Sequence, residues 1–250
     1  MFDKNANRWK LLFFTTFALS IILSLIPFAS IALYPFRLFS TFIHESFHVL
    51  ASILTGGKDV SFLINQDASG LTKHTGGFLP LVIPAGYIGT SFLGGALILI
   101  NSKRYTEKFL FIFLGLFFIG MTFFFGLTTL LTIAFGFGVG FLFIFLGLAF
   151  KGNFPKFLLS FLSIQLSLNS LEDLKTLIFY SAVSDVKTDA QNMSKEVFPL
   201  PPLVWALIFA LVAFILLYIS ISGAFKTKKA PPQVKNTESA AVPPLPEERR

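Results

Sequence analysis

The stretch from 109 to 150, between Lys108 and Lys151, contains no charged side chain. At about 1.5 Å per residue, a helix of that length would measure roughly twice the ~30 Å hydrocarbon core of a bilayer. The stretch therefore predicts two membrane-spanning helices joined by a tight turn near Gly126–Thr129. Other apolar runs recur along the chain, and Phe alone contributes 34 residues. We predict an all-α polytopic membrane protein with about six to seven transmembrane helices.

The remaining apolar runs predict the other spans. A first span covers 11–34, with a kink at Pro27. It is too long for a signal peptide and lacks a small-residue cleavage site, so we expect it to be retained. A turn at Pro35 and Arg37 separates it from a second helix over about 38–54, which is short for a full crossing. Further apolar runs predict spans over 78–100, 157–180 and about 199–222.

Charge and composition narrow the classes of partner and site. The chain has no cysteine, which excludes disulfides and thiolate metal ligands. Its net charge of +7 does not indicate nucleic-acid binding, because the basic residues lie at the ends of apolar runs and in the tail, where they meet the lipid bilayer. Residues 226–250 are polar and Pro-rich and should be disordered. We therefore divide the chain into a membrane-embedded domain, 1–225, and a tail, 226–250. The oligomeric state stays open.

One motif points to chemistry: His44-Glu45-Ser46-Phe47-His48 reads H-E-x-x-H within an apolar helix. Residues four apart share one helix face, so His44 and His48 can direct two imidazoles at one metal ion. Glu45 lies beside the first ligand, where a carboxylate can take a proton from water. Three ionisable side chains in apolar surroundings are costly unless they have a function. The motif predicts a metal site with Glu45 as general base.

The segment 56–77, which follows the motif helix, is polar and rich in turn residues. Its apolar residues 60–64 favour a strand, so we predict a small β-hairpin or a re-entrant loop beside the site. Irregular backbone at membrane depth is tolerated where it lines a wet cavity, and a hydrolase in a membrane needs such a cavity. We expect His74, in this segment, to be solvated rather than a ligand. Tyr87 is expected to serve packing rather than hydrogen bonding.

A third metal ligand is needed, because catalytic zinc sites usually combine three protein ligands with a water. Without cysteine, a carboxylate is the natural choice. Asp185 and Asp189 stand four residues apart next to the last apolar run, and spacing alone leaves both open; a solvated acidic loop is the alternative. The acidic candidates outside the tail are Asp59, Asp67, Glu172, Asp173, Asp185 and Asp189.

Taken together, these motifs resemble the M50 intramembrane metallopeptidases, specifically the M50B-like branch, over about residues 35–222. The resemblance implies that His44 and His48 bind Zn²⁺, that Glu45 is the general base and that a distant aspartate completes the site. The family's Ser-Asp-Ala-like context for that aspartate points to Asp189 before Asp185. The Asn-Pro-x-x-Asp-Gly-like motif of site-2 proteases does not occur here. The matching segments are the H-E-x-x-H motif, Thr55-Gly56-Gly57, Ser69-Gly70-Leu71-Thr72, Ala85-Gly86-Tyr87-Ile88-Gly89 and Thr188-Asp189-Ala190.

The sequence thus predicts a zinc-dependent intramembrane endopeptidase that acts on a transmembrane protein or peptide. Two other functions stay open: a non-proteolytic scaffold on the same fold, and a transporter or channel in which His44, Glu45 and the aspartates line an ion path. The absence of an inverted repeat speaks against transport.

Two membrane orientations are also compatible with the sequence. If every apolar run crosses, the site faces the cytoplasm, as the resemblance favours. If the motif helix is re-entrant, the basic loops and the tail face the cytoplasm and the site faces outward, as the positive-inside rule favours.

Overall fold

Helices dominate the computed structural model of the protein, which describes residues 4–26, 28–103, 106–184 and 186–226. Within these ranges the chain forms nine helices and one two-stranded antiparallel sheet, so the predicted helical class with a small β-hairpin is confirmed. The elements are α1 (Lys4–Leu25), α2 (Ala29–Leu54), β1 (Lys58–Ile64), β2 (Gly70–Thr75), α3 (Leu79–Val82), α4 (Ala85–Asn101), α5 (Glu107–Phe125), α6 (Leu130–Ala149), α7 (Asn153–Val183), α8 (Asp189–Glu196) and α9 (Pro202–Phe225).

The uncharged stretch forms the predicted pair of helices, α5 and α6, joined by a turn at 126–129. Thr129 begins α6 by accepting a hydrogen bond of 3.2 Å from the backbone N–H of Thr132. Gly115 and Gly140 let the two backbones approach so closely that an added methyl group at either glycine would clash with the facing helix. Inside a bilayer the hydrophobic effect does not drive helices together, so they associate through close packing of this kind.

Three of the described helices, α5, α6 and α9, are long and apolar enough to cross a membrane individually. The pair α1 and α2 also qualifies if it forms one broken span, bent by 117° at the break. Helix α4 is apolar but shorter, and α7 carries buried polar residues. The length and composition of the described helices therefore support three or four spans, and the predicted six to seven stay a prediction.

The break between the first two helices differs from the prediction. A turn was expected at Pro35 and Arg37, but both residues lie inside α2, which begins at Ala29. The expected turn is therefore wrong. Pro35 is exposed and lies within the second turn of its helix, where only one backbone hydrogen bond is lost. Pro27, the expected kink, lies outside the described residues. Helix α2 ends at Thr55-Gly56-Gly57 as expected, with Gly56 at φ +86°.

Helix α2 lies in the centre of a cluster of aromatic side chains. The ring of Phe42 stacks on Phe118 of α5 with centroids 4.1 Å apart, and it meets Phe62 of β1 edge-on at 5.1 Å. Phe39, one turn earlier, stacks on the same Phe118 ring at 5.5 Å. This face of α2 is thus fixed against α5 and the hairpin, so the opposite face, with the two histidines, is directed at α3, α4 and α8.

Candidate metal centre

The two histidines of α2 converge as their spacing predicts. The Nε2 atoms of His44 and His48 lie 3.0 Å apart, and both rings line the same cavity. The neighbouring side chains Phe42, Ile43 and Val49 are fully buried and keep the helix from rotating about its axis. One face of α2 therefore presents two imidazole nitrogens to a single point.

A backbone carbonyl fixes the orientation of His48, which is only 6% exposed. Its Nδ1 lies 2.7 Å from the carbonyl oxygen of Val82, the last residue of α3. A carbonyl can only accept, so Nδ1 carries the proton and donates it. The lone pair of Nε2 is then left available for a metal ion, as in many histidine metal ligands.

The first turn of α4 lies directly against the two imidazoles. A methyl group added at Gly86 would overlap the Nε2 atoms of both His44 and His48. The absence of a side chain at this position therefore keeps open the space between the histidine nitrogens. One residue further, the ring of Tyr87 meets His44 edge-on at 4.6 Å and stacks on Phe209 of α9, which is a packing role.

The third member of the group comes from the other end of the chain. Asp189 is the first residue of α8, whose N-terminus is capped by Thr188, and its Oδ2 lies 3.7 Å from Nε2 of His44 and 3.6 Å from Nε2 of His48. The buried side chains of Ala190 and Met193 hold α8 in a core shared with α9. One potential ligand atom of each of the three residues lies within 4.8 Å of the other two, so together they could hold a metal ion.

The charge of Asp189 suits this arrangement. Burial disfavours the ionised carboxylate, but without a metal ion the imidazoles of His48 and His44, when protonated, outweigh that effect and keep the pKa of Asp189 below its ordinary value. The carboxyl group is therefore deprotonated at neutral pH, which is the form that coordinates metals.

Glu45 is held by the hairpin. Its side chain is 6% exposed, and its Oε2 accepts a hydrogen bond of 2.6 Å from the hydroxyl of Thr72 on β2. The same strand approaches so closely at Gly70 that an added methyl group would clash with Glu45 Oε1. Both oxygens of the carboxylate are thus placed by β2.

The register of the hairpin brings these two residues to α2. Thr72 pairs with Phe62, and Gly70 pairs with Ile64. Phe62 and Ile64 are each only 1% exposed, so the face of the hairpin that carries them is buried. Since side chains alternate between faces along a strand, a slip of one residue would replace Thr72 with Leu71 beside Glu45.

A cavity of about 1030 Å³ joins these residues. Consecutive residues of β2 form one wall, and parts of α7 and α8 form another. The cavity is large enough for a peptide segment and is lined by both polar and apolar groups. The residues that line the cavity include Glu45, Thr72, His74, Asp173, Lys187 and Asp189.

The other predicted candidates lie elsewhere. Asp59 and Asp67 are exposed in the hairpin, and hydrogen bonds from the hydroxyl and the backbone N–H of Ser69 lower the pKa of Asp67. Glu172 is exposed on α7, and Asp173 lines the cavity wall without joining the metal-binding group. Asp185, the alternative third ligand, lies outside the described residues.

His74 also stays outside the metal-binding group. It lies on β2 at the cavity wall, and its Nδ1 is 2.8 Å from the carbonyl oxygen of Gly76.

Sequence reasoning missed three features of the site: the carbonyl of Val82, the hydroxyl of Thr72 and the missing side chain at Gly86. Thr72 and Gly86 fall within the segments that carry the family resemblance, and this was the available signal. No sequence pattern marks a backbone carbonyl as a partner of a histidine, because any residue supplies one.

Comparison with known proteins identifies the family of the chain. Residues 14–220 match a family model described as Peptidase M50B-like. No curated protein and no solved structure matched the chain. The family and the three long apolar helices identify an integral membrane protein. Because the match covers most of the chain and includes all three residues of the metal-binding group, the protein belongs to the M50B-like peptidase family.

Proposed function

We propose that the protein is a zinc-dependent intramembrane endopeptidase that hydrolyses peptide bonds of membrane-protein substrates. One observation carries the proposal: the histidine pair of α2 meets a carboxylate from α8, far along the chain, in the cavity that also contains Glu45. A channel or a scaffold has no need for this combination of ligand set and buried carboxylate.

The donor atoms suit zinc. In a tetrahedral zinc site with bond lengths of about 2.0–2.1 Å, ligand atoms lie roughly 3.3 Å apart. The three separations among His44 Nε2, His48 Nε2 and Asp189 Oδ2 are 3.0, 3.6 and 3.7 Å. Two imidazoles and one carboxylate are a common ligand set of catalytic zinc, and among the described residues no further acidic or histidine side chain joins them. A fourth position is thereby left for water or substrate.

His44, His48 and Asp189 would hold the zinc, which supplies a Lewis acid that lowers the pKa of water and polarises a carbonyl group. Glu45 accepts the proton of the attacking water and later returns it to the nitrogen of the leaving amine. Thr72 positions Glu45 for this transfer through the hydrogen bond to Oε2. The cavity admits the water that hydrolysis consumes, which the surrounding lipid would exclude.

Substrate binding is assigned to β2. The sheet has two strands, so among the described residues the second edge of β2 has no strand partner, and β2 contributes consecutive residues to the cavity wall. An extended peptide that paired with this edge would lie beside Glu45. A transmembrane helix must unwind locally to bind in this way, because its own backbone hydrogen bonds occupy the groups that β2 would pair with.

We also propose a multi-pass arrangement of six crossings, which for a bacterial protein would lie in the cell membrane. The crossings are the bent pair α1 and α2 as one broken span, then α4, α5, α6, α7 and α9. Helices α4, α5, α6 and α7 run in alternating directions, since short connections join each of them to the next.

Zinc content and cleavage together test the proposal. The purified protein is expected to contain about one zinc ion per chain and to cleave a labelled transmembrane peptide in detergent. The His44→Ala variant should lose both properties, while His74→Ala, on the wall of the same cavity, should retain both. A wild-type protein that binds zinc but cleaves neither this peptide nor the unfolded protein β-casein would support the non-proteolytic alternative.

A further inference from the structure

One face of helix α8 is directed at the cavity. The residues of α8 that line the cavity are Asp189, Asn192 and Glu196. Spacings of three and four residues place these side chains on one face of a helix. Ala190 and Met193 pack instead in the core shared with α9, where both are buried. The cavity face of α8 therefore begins with the aspartate of the metal-binding group and continues, one turn later, with an amide.

The side-chain amide of Asn192 forms no hydrogen bond within the part of the chain that the structure describes. Its backbone N–H donates to the carbonyl oxygen of Thr188 at 2.8 Å, as in any helix. The N-terminus of α8 is capped by the side chain of Thr188, not by an asparagine. Asn is also a poorer helix former than Ala or Leu. Neither capping nor helix propensity therefore accounts for an amide at this position.

A carboxamide is suited to bind a peptide backbone, because it offers both hydrogen-bond donors and an acceptor. In an extended strand, the N–H and C=O of one residue point to one side, and those of the next residue point to the other side. A peptide that paired with the edge of β2 would thus direct the N–H and C=O of every second residue away from β2. Leaving such groups unpaired on burial is costly, and the amide of Asn192 can pair with those of one residue.

Strand β2 and helix α8 reach the metal-binding group from different sides of α2. Strand β2 contacts Glu45 through Thr72, whereas α8 brings Asp189 to the histidine pair. A peptide bond at the metal would therefore lie between the strand and the helix. The three residues from Asp189 to Asn192 advance about 4.5 Å along α8, and one residue of an extended peptide advances about 3.3 Å. Asn192 is thus placed to contact a substrate residue within about two positions of the scissile bond.

We propose that Asn192 is a substrate-binding residue, whose amide holds the peptide backbone on the side that faces away from β2. This inference rests on the proposed function. The amide donates to the carbonyl oxygen of one substrate residue and accepts from its N–H, so the extended segment is held along both edges. These bonds select an unwound segment over a helix, in which the same backbone groups are already paired, and they do not select a particular side chain.

Peptide binding without turnover tests this role. A labelled transmembrane peptide is titrated in detergent with the zinc-loaded Glu45→Gln variant, and binding is followed by fluorescence anisotropy. Adding Asn192→Ala should weaken binding about 5- to 30-fold, the equivalent of one to two hydrogen bonds. Ala favours helix, so α8 should stay folded. The matched control is Gln191→Ala on the same helix, at a position that does not line the cavity, which should leave the affinity unchanged.

A series of modified peptides separates a direct contact from a structural effect. In each peptide, one backbone N–H near the cleavage site is replaced by an ester oxygen. With Asn192 present, esters on both sides of the strand should weaken binding. With Asn192→Ala, the ester that removes the N–H facing this residue should cause no further loss, while esters that remove an N–H facing β2 should cost as much as before. If every ester costs the same in both backgrounds, the proposed contact does not exist.

In the otherwise wild-type protein, Asn192→Ala should raise KM by a similar factor and leave kcat and zinc content nearly unchanged, as expected when binding is lost equally in the ground and transition states. An unchanged KM, or loss of zinc, would overturn the role of Asn192 and leave the proposed function standing. A wild-type protein that cleaves nothing, but binds peptide in a manner that depends on Asn192, would refute the proposed function and leave the binding role.

Discussion

The hydroxyl of Thr72 on β2 donates a hydrogen bond of 2.6 Å to Oε2 of Glu45 on α2, 27 residues earlier in the chain. The strand that borders the cavity therefore also holds the carboxylate that we assign as general base. The same hydroxyl lies 3.3 Å from the backbone carbonyl oxygen of Glu45. Substrate binding at β2 and proton transfer by Glu45 are in this way linked through a single side chain.

Loss of this contact should slow the reaction without removing the metal. A hydrogen bond to a charged group contributes about 1.5–3 kcal/mol, so the Thr72→Val variant is expected to show a kcat roughly 10- to 100-fold lower. Thr72→Ser keeps the hydroxyl and should restore most of the rate. Both variants should retain one zinc per chain, measured by elemental analysis.

If Thr72 had a purely structural role, its replacement would leave the infrared band of the Glu45 carboxylate unchanged. The carboxylate stretching band of Glu45, identified by the infrared difference between wild type and Glu45→Gln, should shift in Thr72→Val and not in Thr72→Ser. An unchanged band in Thr72→Val would mean that the hydroxyl does not hold Glu45.

Replacement of Glu45, the proposed general base, should separate catalysis from metal binding. Glu45→Gln removes the proton acceptor but keeps the size of the side chain and the bond to Thr72. We expect cleavage of the labelled transmembrane peptide to fall about 10²- to 10⁴-fold with zinc content unchanged. Residual cleavage near the wild-type rate would exclude Glu45 as the base.

A methyl group at Gly86 should close the metal site. In Gly86→Ala the new side chain would overlap both histidine nitrogens, so zinc content should fall to near zero. The matched control is Gly120→Ala on α5, where the added methyl group meets no atom within 4 Å. That variant should bind zinc normally and unfold at a temperature equal to or above that of the wild type, because Ala favours helix over Gly. Full zinc binding by Gly86→Ala would show that the ion lies elsewhere.

The acidic ligand can be identified by three parallel substitutions. Asp189→Ala removes the oxygen nearest the two imidazoles and should weaken zinc binding at least tenfold, as judged by competition with a chelator. Asp173→Ala, on the wall of the same cavity, should leave the affinity unchanged. Asp185→Ala should also leave it unchanged. If Asp185→Ala released the metal and Asp189→Ala did not, the assignment of the third ligand would be reversed.

The predictions that the structure confirms were made from local patterns in the sequence. The uncharged stretch predicted α5, α6 and their turn, since the length of an apolar run directly reflects the number of helices that it can form. The polar segment after the motif helix predicted the hairpin. The turn expected at Pro35 was wrong because Pro35 lies inside α2, and helices within a membrane domain accept an interior proline when their surroundings satisfy the freed backbone group.

Sequence by itself determined the helical class and the pair of histidines, because a spacing of four residues on a helix places two side chains on one face whatever surrounds them. Only the tertiary structure decided that Asp189 meets those histidines, that Thr72 holds Glu45 and that Gly86 leaves space between the imidazoles. Each of these contacts joins elements that are distant along the chain. Their formation depends on how α8, β2 and α4 pack against α2, and packing is a property of the assembled helices that no single segment encodes.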